Sequence, residues 1–156
     1  MSPALFHGLR KKGLDDEGLA ELQRIWIKPD DINARHAEFV EYLNSRGIAP
    51  ESLGSFARLA FNMHGHVPVE EWRDIMHQIV HVHAKFYDID ANGDEPAIDY
   101  PALVKVFVDE GWQGYWSSEW EGHAFLDLDE ADPLDLVRKQ HDLIRRSIRA
   151  ALDDNS

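Results

Sequence analysis

Apolar residues in the first half of the chain recur at helical spacing and are interrupted by turn residues. Ser2 is placed to cap a short helix that has Pro3 at its first position and ends near Gly13. Asp15 or Asp16 opens a second helix, with Leu19, Leu22, Ile25 and Trp26 on one stripe, and Pro29 stops it. Asp30 or Asp31 starts a third, whose apolar positions Phe39, Val40 and Leu43 precede Gly47. Pro50 sits where a first helical residue would, ahead of Leu53, Phe56, Leu59 and Ala60. Gly65 and Pro68 break the chain again, and Val69 to Gln78 predicts one more helix. No internal repeat and no low-complexity tract interrupts this series.

The period changes after Gln78. From Ile79 to Tyr87, Val80, Val82, Ala84 and Phe86 alternate with His81, His83, Lys85 and Tyr87, which predicts a strand with one apolar and one polar face. A turn-rich loop follows from Asp88 to Pro96. Tyr100 to Glu110 is amphipathic through Leu103, Val104, Phe107 and Val108, and Gly111 is a natural helix stop. Tyr115 to Glu121 predicts a second strand, with Tyr115, Ser117, Glu119 and Glu121 on one face and Trp116, Ser118 and Trp120 on the other. Pro133 begins a long last helix with Leu136, Val137, Ile144, Ile148 and Leu152 along its apolar side. Strand, crossover helix and strand form a βαβ unit, which implies parallel pairing. Two parallel strands leave both outer edges unpaired, so another part of the chain or another chain is expected to complete the sheet.

Composition narrows the function. The 156 residues carry 16 Lys and Arg against 29 Asp and Glu, a formal charge of −13, which disfavours nucleic acid and anionic membrane as partners. There are no cysteines, so disulfides, zinc-thiolate sites and cysteine nucleophiles are excluded. The first ten residues hold no apolar run of signal-peptide length, and no later segment approaches a membrane span. A soluble, cytoplasmic protein with small-molecule or cation chemistry is the expectation.

His81 and His83 share a strand face with Lys85, and Glu119 and Glu121 share a face of the next strand. At the C-terminal ends of adjacent parallel strands, where α/β folds place ligands, His83 and Glu119 would converge. An imidazole nitrogen and a carboxylate oxygen make a partial shell for Mn, Co, Mg or Zn. A carboxylate beside such an ion can also take a proton from a carbon next to a carbonyl. Against this stands the supply of nine histidines, from which an HxH pair arises readily by chance.

The run His81 to Asp90, with Ile98-Asp-Tyr, Gly111 to Gly122 and Val137-Arg-Lys-Gln-His141, resembles the last strands of the xylose isomerase-like TIM-barrel family, the sugar phosphate isomerases and epimerases. The resemblance runs from about Ile79 to Ala150. It implies an α/β fold, a partial (β/α) TIM-barrel segment at 79–156, preceded by an insertion-like helical segment at 1–78, in one structural unit. It also implies a divalent ion, manganese first, held by His83 and Glu119, with Glu119 as acid/base and His81, Lys85 and Glu121 beside the sugar substrate. The family draws two further ligands, a glutamate and an aspartate, from earlier strands that this sequence does not offer. A full barrel takes about 250 residues, and the missing length falls at the N-terminal end. His64 and His66 are substitutes, although they sit at a break before Pro68.

Two rival uses remain open. A non-catalytic truncated barrel or interaction module would pair its open edges with a partner chain or a second copy. Asp88-Ile-Asp-Ala-Asn-Gly-Asp also follows the opening of a calcium-binding EF-hand loop, which would make Val69 to Tyr87 one helix. That match weakens at Glu95, Pro96 and Asp99, where the motif expects an aliphatic residue, a polar ligand and a bidentate glutamate. Finally, Trp112, Trp116 and Trp120 suit either a sugar pocket or a core, and Arg138, Lys139, Arg145, Arg146 and Arg149 give the last helix a basic, solvated or internally paired side.

Overall fold

A computed structural model describes residues 1–63, 67–127 and 129–154. The chain divides into two compact units, Met1–Gly65 and His66–Ser156. His64 and His66 lie outside the described residues.

The first unit is helical, and its first three helices begin where short polar side chains accept orphan backbone N–H groups of a first turn. Ser2 accepts from Leu5 N at 3.2 Å and opens α1 (Pro3–Lys11). Asp15 accepts from Gly18 N at 2.9 Å and opens α2 (Asp16–Trp26). Asp31 accepts from Asn33 N at 2.7 Å and opens α3 (Ile32–Ser45). The stretch after Pro50 is not one helix. A 3₁₀ turn at Pro50–Leu53 ends at Gly54, whose φ of +58° is left-handed, and α4 (Phe56–Asn62) starts afresh beyond it. Leu5, Leu9, Leu22, Ile25, Phe39, Leu43, Leu53 and Phe61 form the buried interior.

The second unit opens with 3₁₀ turns at Val69–Glu71 and Met76–Gln78 around a single turn of helix, α5 (Trp72–Ile75). The strand β1 (His81–Phe86) follows, then α6 (Tyr100–Asp109), β2 (Tyr115–Trp120) and the long α7 (Pro133–Asp154). Asp99 caps α6 through Ala102 N at 3.0 Å, and Asp132 caps α7 through Leu134 N at 3.0 Å. The strands pair in parallel with His81 opposite Tyr115, His83 opposite Ser117 and Lys85 opposite Glu119. Their inner residues Ala84 and Phe86 pack with Tyr100, Val104, Leu136, Leu143 and Ile144, while Phe107 gathers Trp72, Trp112 and Trp116 on the second cluster.

This is not the barrel segment that the resemblance implied. The described chain is mostly helical, and its one sheet has two strands. A barrel wall needs a succession of strands, whereas strand-like alternation occurs only twice here and residues 1–78 repeat their apolar positions every three to four residues. The calcium-loop reading fails for a related reason. Its first helix would span residues that instead form β1, so the loop is flanked by a strand and a helix and not by two helices.

Candidate functional site

Alternation along β1 and β2 leaves one sheet face polar. His81 Nε2 and Ser117 Oγ share a hydrogen bond of 2.7 Å. His83 Nδ1 lies 3.1 Å from Glu119 Oε2, and because a carboxylate only accepts, the Nδ1–H tautomer is the one that donates. Lys85 donates to Glu121 and stands 3.3 Å from Glu119 Oε1. Glu121 is held just past the end of β2 by its own backbone N–H, which reaches Phe86 O at 2.8 Å. All five residues named from the sequence therefore meet on one surface, as three cross-strand rungs. Ser117 joins them, and the same alternation that placed Glu119 on this face marked it.

The electrostatics follow from these contacts. The His83 hydrogen bond, helped by Lys85, holds the Glu119 carboxyl below the usual carboxylate range. The Glu121 carboxylate raises the Lys85 ammonium above its ordinary value. Glu121 is the most covered of the group, with 14% of its side chain exposed, against 68% for His83. Tyr87 continues the face beyond Lys85 but is buried against Phe125, and that burial pushes its hydroxyl up to about 12.

Other sequence candidates have different employment. Trp120 Nε1 donates to Tyr87 O at 3.1 Å and Trp112 Nε1 to Ile79 O at 2.5 Å, which ties both indoles to the apolar side of the sheet. Asp90 turns its carboxylate onto Asn92 N and Asp94 N, and Arg146 occupies the mouth of that loop through Gly93 O at 2.8 Å and the Asp94 carboxylate. Lys139 pairs with Asp135 at 2.7 Å and Arg145 with Asp142 at 3.3 Å, so much of the basic side of α7 is internally matched.

Among the described residues no group of three or more possible metal-ligating side chains comes together. His83 and Glu119 offer two donors already hydrogen-bonded to each other, which is short of the shell a resident divalent ion requires. These two residues alone do not make a closed metal site.

No family model matches the chain. It is 59% identical over 153 residues to a C-glycoside deglycosidase alpha subunit of Arthrobacter globiformis, a match that covers 98% of this chain and 44% of the relative. This chain is similar to deglycosidase alpha subunits. A 3'-dehydrocarminate deglycosidase alpha subunit of a Microbacterium species is 47% identical over 87 residues, covering 56% of this chain and 24% of that protein. A C-glycoside deglycosidase alpha subunit of Microbacterium trichothecenolyticum is 30% identical over 159 residues, covering 96% and 42%. The chain thus spans less than half the length of the curated relatives it matches.

The deglycosidase matches overturn the resemblance to xylose isomerase-like barrels. The similar proteins are named as subunits of carbohydrate-cleaving enzymes, not as isomerases or epimerases, and the isomerase expectation loses its basis with it. Sugar chemistry and a partner chain are the parts of the earlier expectation consistent with the relatives' names. No helix among the described residues is long and apolar enough to cross a membrane.

Proposed function

We propose that this chain forms the sugar-handling part of a deglycosidase alpha subunit, working with a second subunit on C-glycosides. The observation that carries this reading is the 59% identity that runs through 98% of the chain. The polar sheet face supports it. Its imidazoles, ammonium and carboxylates are the donors and acceptors that bind sugar hydroxyls, and they stand on paired strands rather than on loops. The Microbacterium relative is named for a 3'-dehydro glycoside, a sugar in which a ketone replaces a hydroxyl. A ketone acidifies the neighbouring C–H, and imidazole and carboxylate are the groups that exchange such a proton. On this reading Glu119 is the acid/base, while His81, His83, Lys85 and Glu121 hold the sugar.

The test is a graft. This chain replaces the matched segment of the Arthrobacter globiformis alpha subunit, and the product is assayed with that enzyme's other subunit on a C-glycoside. The graft is expected to turn over, and Glu119→Gln within it to lower kcat at least about a hundredfold, in line with loss of an acid/base group. A graft that assembles but is inactive would overturn the reading. So would an active graft indifferent to both Glu119→Gln and His83→Ala.

A further inference from the structure

Acidic residues outnumber basic ones in this chain by 29 to 16, so a basic side chain has carboxylates in good supply. In the first unit Arg10, Arg24 and Arg46 each find one. Arg58, half-buried on α4, does not. Its hydrogen bond runs from Nη2 to the neutral side-chain oxygen of Asn33 at 3.1 Å, and among the described residues it forms no ion pair. A guanidinium presents five N–H donors in a planar fork, and that bond leaves most of them unused.

Arg58 lines a groove of about 470 Å³ between α3, the 3₁₀ turn at Pro50–Leu53 and α4. Small-molecule sites typically measure about 300–1,000 Å³. His36, Val40 and Asn44 form the α3 wall, successive turns of one stripe. Pro50 and Ala57 give the other side apolar surface, and a Cβ at Gly54 would meet nothing within 4 Å, so the groove stays open there. His36 packs edge-on against Phe61, with ring centroids 5.9 Å apart, and forms no hydrogen bond among the described residues. Burial, then the nearby Arg58 charge, holds its imidazole below the ordinary range, so it stays neutral and offers one N–H donor. The exposed Glu51 carboxylate sits on the rim.

We propose that this groove binds a small monocarboxylate with an apolar body. The carboxylate takes the Arg58 fork, and the body lies against Val40, Pro50 and Ala57. Two parallel N–H···O bonds from a guanidinium make a strong and directional pair with a carboxylate. The apolar walls add affinity only for a ligand that has a body to cover them. A phosphate dianion has none, and it would bring a second negative charge toward Glu51. The site lies wholly within the first unit, so it stands or falls apart from the sugar-handling reading.

Benzoate, its neutral counterpart benzamide, acetate and inorganic phosphate test this on the chain as it stands, by calorimetry and by NMR shift mapping. Benzoate is expected to bind saturably at millimolar concentration, with shifts confined to His36, Asn44 and their neighbours on α3 and α4. Benzamide lacks the charge and acetate lacks the body, so each should bind at least about tenfold more weakly, as should phosphate. Arg58→Met should bring benzoate down to the benzamide level, whereas a merely structural lesion would weaken both alike. If Arg58→Met unfolds, Arg58→Lys carries the test. It keeps the charge, loses the fork, and should weaken benzoate at least about threefold. The proposal is overturned by benzoate that binds no better than benzamide, by phosphate that binds as well as benzoate, or by shifts outside the groove. A folded Arg58→Met that holds benzoate like wild type overturns it too, as does a wild type that binds none of the four.

Discussion

Gln140, midway along α7, donates from Nε2 to the backbone carbonyl of Ala84 on β1 at 2.8 Å. The same nitrogen reaches the Tyr100 hydroxyl at 2.6 Å, and that hydroxyl donates to Lys85 O at 2.7 Å. A fully buried amide thus anchors the strand that carries the candidate site, from behind. Gln140→Leu removes both donations, and with them an amide oxygen, Oε1, that is buried and has no hydrogen-bond partner among the described residues. It is expected to cost about 1–2 kcal/mol net, measured by chemical denaturation. An unchanged midpoint would show that the anchor carries no weight.

Ser118 makes the opposite case. Its hydroxyl oxygen is buried and finds no hydrogen-bond partner among the described residues. Ser118→Ala therefore removes an uncompensated polar group and should be neutral or stabilising by up to about 1 kcal/mol. The same denaturation experiment reads it, and a loss of stability would mean that the hydroxyl is bonded in solution.

Glu95 and Glu119 should titrate in opposite directions from the ordinary glutamate. Burial raises the Glu95 carboxyl, although Tyr87, Ala97 and Ile98 all donate backbone N–H groups to it. The His83 hydrogen bond lowers Glu119. For Glu95, the folded state holds the proton more tightly than the unfolded state. Its contribution is therefore fully present below the unfolded value and is lost as pH rises through the folded one. For Glu119 the contribution is present above the unfolded value and is lost as pH falls through the lowered folded one. Carboxyl-detected NMR titration of the two side chains checks both signs, and a shared midpoint would contradict them.

The Asp88–Asp94 loop is expected to be closed by an arginine and not by calcium. Arg146 donates to Gly93 O and to Asp94, and a side chain at Gly93 would run into that guanidinium. Arg146→Met should lower stability by up to about 1 kcal/mol, since the ion pair is largely solvated. Millimolar Ca²⁺ should leave the thermal midpoint of wild type where it is. A rise on adding Ca²⁺ would restore the calcium reading.

Gly122 allows a close approach that no other residue can. A Cβ there would collide with the Tyr87 carbonyl and the Trp120 indole, which are themselves hydrogen-bonded. Gly122→Ala must displace one of them and should cost about 1–3 kcal/mol, as overpacking usually does. Loss of the Trp120 hydrogen bond should also move its fluorescence. A variant as stable as wild type would mean that the backbone there yields freely.

Much of the architecture was legible because capping is local chemistry. Ser2, Asp15 and Asp31 sit directly ahead of the apolar stripes they open, and each accepts from the backbone of the first turn. Where the signal was ambiguous the reading slipped. Val69, Trp72 and Ile75 recur every three residues, the period of the 3₁₀ helix, and the segment does break into 3₁₀ and single-turn pieces. Gly54 gave no warning that its φ would be left-handed. Alternation told which side chains of β1 share a face. It carries no information on how many strands lie beside them, and there the barrel expectation went astray. Register was equally hidden: the sequence does not reveal that Lys85 stands opposite Glu119 while His83 reaches the same carboxylate diagonally.

The parallel pairing of β1 with β2 also sets an order of events in time. The two strands are separated along the chain by a loop and all of α6, so none of the cross-strand rungs can close until that stretch is folded back. The helices need no such return. Refolding should thus recover helical ellipticity first, and the fluorescence of Trp116 and Trp120 only later. The polar face does not exist until those rungs close, and substitutions in the crossover should delay it without touching any residue on it.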